Sequence, residues 1–165
     1  MGSPCVSVIM PVHNGERFLA EAIESILSQA LSDFEFLIVD DGSTDHTRDI
    51  VLSYGDHRIR YFRLGANEGV SVARNVGIYK SCGDYIACMD SDDISMPERL
   101  ERQARFLDSH TDAGLVACGY EIMDERGRNL FKNDWCADSF PINALVAQKP
   151  QFIGPTMFFR RQCVE

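Results

Sequence analysis

The sequence predicts an α/β fold, a mostly parallel sheet with helices on both faces, and three observations carry that prediction. Short apolar runs alternate with segments whose apolar residues recur every three to four positions. The runs at Val6 to Val12 and Tyr85 to Met89 are almost wholly apolar, as strands covered on both faces are. Three runs end in polar or acidic clusters, which in such a sheet mark the crevice where ligands sit. A length of 165 residues, with 45% hydrophobic and 25% charged residues, fits one domain over 1–165 with a sizeable core.

The elements follow in order. Val6 to Val12 reads as the first strand, bounded by Pro11 and Asn14-Gly15. Leu19, Ala22, Ile23, Ile26 and Leu27 place one apolar stripe on a helix from about Glu16 to Gln29. Phe34 to Val39 is a second strand running into Asp40-Asp41-Gly42, and Ser43 or Thr44 can cap the helix that carries Ile50 and Val51. Ile59 to Leu64 mixes charge into its pattern as an edge strand does. Gly69 to Lys80 is a third helix, and Tyr85 to Met89 a buried strand ending in Asp90-Ser91-Asp92-Asp93. Pro97 suits the first turn of a fourth helix with Leu100, Ala104 and Leu107 inside. Gly114 to Met123 and Leu130 to Lys132 read as strands joined by a turn at Glu125 to Arg128. Ile142 to Ala147 reads as a short helix and Phe152 to Phe159 as a last strand.

Composition excludes several functions. A net charge of -9 repels nucleic acid and anionic membrane surfaces. No apolar run approaches the roughly 20 residues that cross a bilayer, and Val6 to Val12 lacks the basic leader of a signal peptide. The cysteines at 5, 82, 88, 118, 136 and 163 form no Cys-x-x-Cys pair, so they read as reduced core residues suited to a cytoplasmic setting rather than as zinc ligands.

The strand ends carry the chemistry. Asp90 and Asp92, one residue apart after a buried strand, suit a hard cation such as Mg²⁺ or Mn²⁺, which takes one or two protein carboxylates and fills its other positions with water and substrate phosphate. That cation would let an acidic protein hold a diphosphate. The competing reading is a solvated turn or helix cap, and Asp93 fits the cap best. Asp40-Asp41 can be a turn plus cap or a carboxylate reader of a base or ribose. Arg74, in the second turn of the third helix, can reach a phosphate, steady the acids or be structural. His13 can stack on a base, bond a ribose, or be an ordinary loop histidine.

Taken together, VSVIMPVHNGERFLAEAIESILSQ, FEFLIVDDGSTDHT, NEGVSVARNVGI and GDYIACMDSDDISMPERLERQ resemble the family-2 glycosyltransferases of the GT-A (Rossmann-like) fold, in the family's order over about residues 6 to 107. The later FIGPTMFFRR looks like the strand after that family's metal site. The resemblance implies a nucleotide pocket lined by Pro11 and His13, with Asp41 and Asp40 at the base, commonly uracil. It implies Arg74 near the phosphates, Asp90 at the ribose or metal, and Asp92 as direct ligand of Mn²⁺ or Mg²⁺. It implies transfer, with inversion, from a nucleoside-diphosphate sugar to a hydroxyl on a glycan, lipid-linked or protein acceptor, with a carboxylate general base. In relatives that base lies past the last strand seen here. The expectation is therefore a donor-binding portion whose acceptor half and base lie beyond Glu165, poorly active alone.

Rival readings differ at named residues. A receiver domain would place its acid pair after the first strand and a Lys after Val116 to Tyr120. A nucleotidyltransferase would have a Gly-rich basic loop where Pro11 to Arg17 has one glycine. No Gly-x-Gly-x-x-Gly or Walker loop follows a strand. A non-catalytic nucleotide-sugar-binding module remains compatible with the same residues.

Overall fold

The computed structural model describes residues 5–133 and 154–164. Strand β1 (Val6–Val12) and β2 (Phe34–Asp40) are buried along their whole lengths. β1 pairs in parallel with β2 on one side and with β4 (Tyr85–Cys88) on the other, and β3 (Ile59–Arg63) adds to β2 at the sheet edge. Beyond β4 come β8 (Met157–Arg160) and then β5 (Leu115–Ala117), with β8 antiparallel to both. The order is therefore β3-β2-β1-β4-β8-β5. The chain moves outward from β1 through β2 to β3, then returns to lay β4 on the other flank of β1. That reversal opens a crevice at the carboxyl ends of β1 and β4.

The period-2 alternation of strand side chains divides the core. Val6, Val8, Met10 and Val12 of β1 face a cluster closed by α1 (Leu19–Leu27), α2 (Thr47–Ser53) and α4 (Arg99–Ser109). Ile9 faces the other side with Ile86, Cys88 and Phe159, under α3 (Val70–Lys80). α1 has no side-chain N-cap. Leu19, Ile23 and Ile26 are fully buried, and each contributes about 1.5–3 kcal/mol, which holds the helix without one. α3 comes close enough that a Cβ at Gly77 would lie 2.4 Å from Ile9 Cγ2. No helix among the described residues is long and apolar enough to cross a membrane.

The structure corrects several boundaries. The first helix starts at Leu19 rather than near Glu16, after a turn in which the Gly15 carbonyl accepts the Phe18 and Leu19 amides (3.1 and 3.0 Å). Neither Ser43 nor Thr44 caps α2. Ser43 Oγ accepts the Asn14 amide, the Thr44 amide goes to Asn14 Oδ1, and Asp45 Oδ1 takes the Thr47 amide. α4 starts at Arg99, past Pro97, whose carbonyl accepts the Ala30 amide (2.8 Å). The run from Gly114 to Met123 is two strands, broken at Cys118-Gly119. β5 joins the main sheet, whereas β6 (Tyr120–Met123) pairs only with β7 (Asn129–Asn133). The last strand starts at Met157, after a 3-10 turn over Gly154–Thr156. The expected helix at Ile142 to Ala147 lies outside the described residues.

Candidate active site

The loops after β1 and β2 are zipped together by backbone-to-side-chain bonds. Asn14 adopts φ 51, a left-handed conformation that Asn tolerates. Its amide donates to Ser43 Oγ (2.9 Å), and the Gly15 amide donates to Thr47 Oγ1 (2.8 Å). In return the His46 amide donates to Glu16 Oε2 (3.0 Å). His13 Nδ1 lies 2.8 Å from the Asp41 carbonyl, so that nitrogen carries the proton and donates. The Asn14 side-chain Nδ2 then donates to His13 Nε2 at 3.2 Å.

The adjacent acids at the end of β2 do different work. Asp40 is fully buried. Its carboxylate accepts the Ser43 amide (2.7 Å) and the Tyr61 hydroxyl, and lies 3.6 Å from Arg63 Nε. Asp41 turns toward α3, where its two oxygens accept the amides of Glu68 and Gly69, each at 2.8 Å. A carboxylate at the positive end of α3 is favoured by the helix dipole. Gly42, at φ +69, lets this turn press against the backbone of Ala66 and Asn67.

The acidic loop after β4 is held from behind. The Met89 amide donates to the Ile9 carbonyl (3.0 Å), and Arg99 donates to the Cys88 carbonyl (2.7 Å). Downstream, Gln29, two residues past α1, donates to the Met96 carbonyl (2.8 Å) and to Ser95 Oγ (3.2 Å), and accepts the Leu100 amide (3.1 Å). Arg74 pairs with Asp90 at 2.9 Å, and its buried Nε has no hydrogen-bond partner among the described residues. Burial raises the Asp90 carboxyl, Arg74 opposes that, and the Asp92 charge adds to it. The Asp93 carboxyl is pushed up to about 6 by burial and then by Asp90 and Asp92. The loop thus concentrates more negative charge than its neighbours balance.

Pro11, Val12, His13, Asp41, Asn67, Gly69, Val70, Asp90, Ser91 and Asp92 line one cleft of about 260 Å³ at the carboxyl end of the sheet. The residues singled out from sequence at Pro11, His13, Asp41, Asp90 and Asp92 therefore meet there. Asp40 does not line the cleft, and Arg74 stands behind Asp90. Sequence reasoning missed Gln29, Ser95 and Arg99. Gln29 ends the helix stripe as a polar residue, and it is only 6% exposed, a combination that amphipathic spacing does not reveal.

The family model described as "Glycosyl transferase family 2" matches residues 7–165. A Bacillus subtilis (strain 168) protein, provisionally named glycosyltransferase EpsE, is 43% identical over 160 residues, 95% of this chain and 56% of that protein. An uncharacterized glycosyltransferase, RT0329, of Rickettsia typhi is 39% identical over 130 residues, 78% of this chain and 40% of that protein. Among solved structures, S. aureus TarS residues 1–349 in complex with UDP aligns with a TM-score of 0.76 at 26% identity, over 96% of this chain and 47% of that one. The same protein has been solved with UDP-GlcNAc. This chain spans about half the length of these relatives. With the match running across every strand that frames the cleft, the chain belongs to glycosyl transferase family 2 and carries its GT-A fold.

Proposed function

We propose that the cleft binds a nucleoside-diphosphate sugar, UDP-linked, and that the protein transfers the sugar with inversion to an acceptor hydroxyl. The observation that carries this reading is that His13 and Asp41 share one cleft with Asp90 and Asp92; the first two are read as the base side and the last two as the diphosphate side. TarS, which binds UDP and UDP-GlcNAc, supports uracil as the base.

The acidic loop fits a divalent cation. Asp90, Ser91 and Asp92 offer hard oxygen donors on one wall, and Asp92 is exposed to the cleft. Among the described residues no group of three His, Cys, Asp or Glu forms a ready-made cage. Mn²⁺ or Mg²⁺ held by one or two carboxylates takes its remaining ligands from phosphate and water. Asp92 is the expected direct ligand, with Asp90 beside it. When bound there, the cation would supply Lewis-acid stabilisation of the departing diphosphate. The protein's own residues orient the donor. Asp41 fixes the Glu68-Gly69 turn at the cleft edge, and Arg74 steadies Asp90, its Nε–H without a partner among the described residues. The acceptor's general base is assigned to none of the described residues.

Calorimetric titration with UDP, GDP and TDP, each with Mn²⁺ and with chelator, tests the reading. UDP with Mn²⁺ binds best, and Asp92→Ala removes the metal dependence. Tight UDP binding indifferent to chelator would remove the cation from the proposal.

A further inference from the structure

The acidic loop after β4 is suspended between two anchors. At its start the Met89 amide donates to the Ile9 carbonyl (3.0 Å). At its end the Ser95 amide donates to Ser25 Oγ (3.0 Å). Between them Asp90 pairs with Arg74, and the Asp93 amide donates to the Asp90 carbonyl (3.3 Å). Ser91 and Asp92 make no hydrogen bond among the described residues, so the place of Asp92 is set by the ends of its loop. Gln29 controls the downstream end. Buried just past α1, it donates to the Met96 carbonyl (2.8 Å) and Ser95 Oγ (3.2 Å), and the Ala30 amide beside it donates to the Pro97 carbonyl (2.8 Å). Gln29 Oε1 also accepts the amide of Leu100 (3.1 Å), the second residue of α4. Glu98, at the N-cap of α4, makes no side-chain cap bond. Gln29 therefore supplies from outside the helix the acceptor that an N-cap side chain normally provides. Arg99, the first residue of α4, donates to the Cys88 carbonyl (2.7 Å), which carries the position of the helix back to the start of the loop.

We propose that Gln29 is a positioning residue for the cation site, fixing both ends of the acidic loop and so setting how tightly Asp92 holds Mn²⁺ beside the nucleotide. The proposal rests on the cation reading given above. Ser25, Gln29 and Ser95 are all buried, so a bond lost among them leaves a polar group without a partner rather than one rehydrated. The segment then relaxes, and a metal ligand with no bond of its own moves with it. Outer partners of metal ligands alter metal affinity through such displacement. A Gln29 that only packed α1 against α4 would change stability and leave the cation affinity of the folded protein alone.

The test compares the wild-type chain with Gln29→Met, which keeps length and volume but removes every polar atom of the side-chain amide, and with Glu35→Ala. Glu35 lies at the far end of the sheet, in a hydrogen-bonded cluster with Ser7 and Cys82. Both variants are expected to unfold at lower urea. Mn²⁺ affinity is measured on the folded proteins at saturating UDP. It is expected to fall on the order of tenfold in Gln29→Met and to stay within about twofold of wild type in Glu35→Ala. Unchanged Mn²⁺ affinity in Gln29→Met, or an equal loss in both variants, overturns the positioning role while leaving the cation reading standing. Wild-type UDP binding that ignores Mn²⁺ overturns both. If Gln29→Met does not fold, Ser25→Ala decides, because it removes only the acceptor of the Ser95 amide at the same anchor. Weaker Mn²⁺ binding by Ser25→Ala supports the role, and unchanged binding overturns it.

Discussion

Gly42→Ala is the substitution that most directly tests how the cleft is built. Gly42 sits at φ +69, where an L side chain costs about 1–2 kcal/mol. An added Cβ would lie 2.6 Å from Ala66 C, 2.8 Å from Asn67 N and 2.9 Å from Ala66 Cα. All three are backbone atoms, which cannot rotate away, so relief requires the Ala66-Asn67 strap to move. Overpacking of that kind costs about 1–3 kcal/mol. The alanine recovers about 0.4–1 kcal/mol by restricting the unfolded chain. The net expectation is a loss of about 1–4.5 kcal/mol, the balance of these three effects. The strap leads directly into the Glu68 and Gly69 amides that hold Asp41, so UDP affinity should fall with it. Gly65→Ala is the control, since nothing lies within 4 Å of its added Cβ and its φ is not positive. Urea unfolding followed by circular dichroism, beside UDP titration, reads both effects. A Gly42→Ala protein within about 0.5 kcal/mol of wild type, with UDP binding unchanged, refutes the close-approach argument.

Three further outcomes are expected. Glu35 is buried at the end of the sheet remote from the cleft, where it accepts from Ser7 Oγ (2.6 Å) and the Cys82 amide (2.6 Å) and pairs with Arg60. Glu35→Ala should cost about 2–4 kcal/mol in urea unfolding, and unchanged UDP binding checks that the loss is remote. Burial raises the Glu35 carboxyl, but hydrogen bonds from Ser7, Cys82 and Arg60 outweigh it and hold it below the ordinary carboxylate range. Its stabilisation is therefore full above the unfolded value of about 4.3 and disappears as pH falls through the lower folded value. Unfolding midpoints from pH 6 to pH 3, taken as about the span of that titration, should fall less steeply in Glu35→Gln. Gly77→Ala should destabilise by about 1–2 kcal/mol, because its Cβ would lie 2.4 Å from Ile9 Cγ2 and the helix-propensity gain only partly offsets the clash. In a double-mutant cycle Ile9→Ala should cost at least about 1 kcal/mol less in the Gly77→Ala background, and strict additivity would count against that packing.

Much of the frame was legible because burial on two faces leaves a continuous apolar run. β1 and β2 were bounded to within a residue, and four of the five stripe residues of α1 are buried, with Leu27 half-buried and the buried Ser25 outside the stripe. The start of α3 was legible to within a residue, but those of α1, α2 and α4 were not. Ser43 and Thr44 have the chemistry of caps, yet the loop after β1 uses them first. Such competition between a local cap and a partner 30 residues away leaves no trace in spacing. The break at Cys118-Gly119 was equally hidden, since β5 and β6 are both apolar enough to read as one strand and differ only in which sheet they join.

Asp40 and Asp41 show where residue type stops being informative. Both are aspartates at one strand end, and either suits a turn, a cap or a ligand contact. Successive residues leave a strand in opposite directions, so one pair at a sheet edge can serve two surfaces. Asp40 meets Tyr61 and Arg63 of β3 and the Ser43 amide, all of which neutralise or satisfy it. Among the described residues the Asp41 carboxylate meets backbone amides and the open cleft. A buried carboxylate without such partners would be costly, so the conformation that frees Asp41 for the cleft depends on Tyr61, Arg63 and Ser43 accommodating Asp40. The edge strand β3 therefore contributes to the site without touching it. Tyr61→Phe should lower stability and weaken UDP binding together, whereas a change on the outer surface of β3 should do neither.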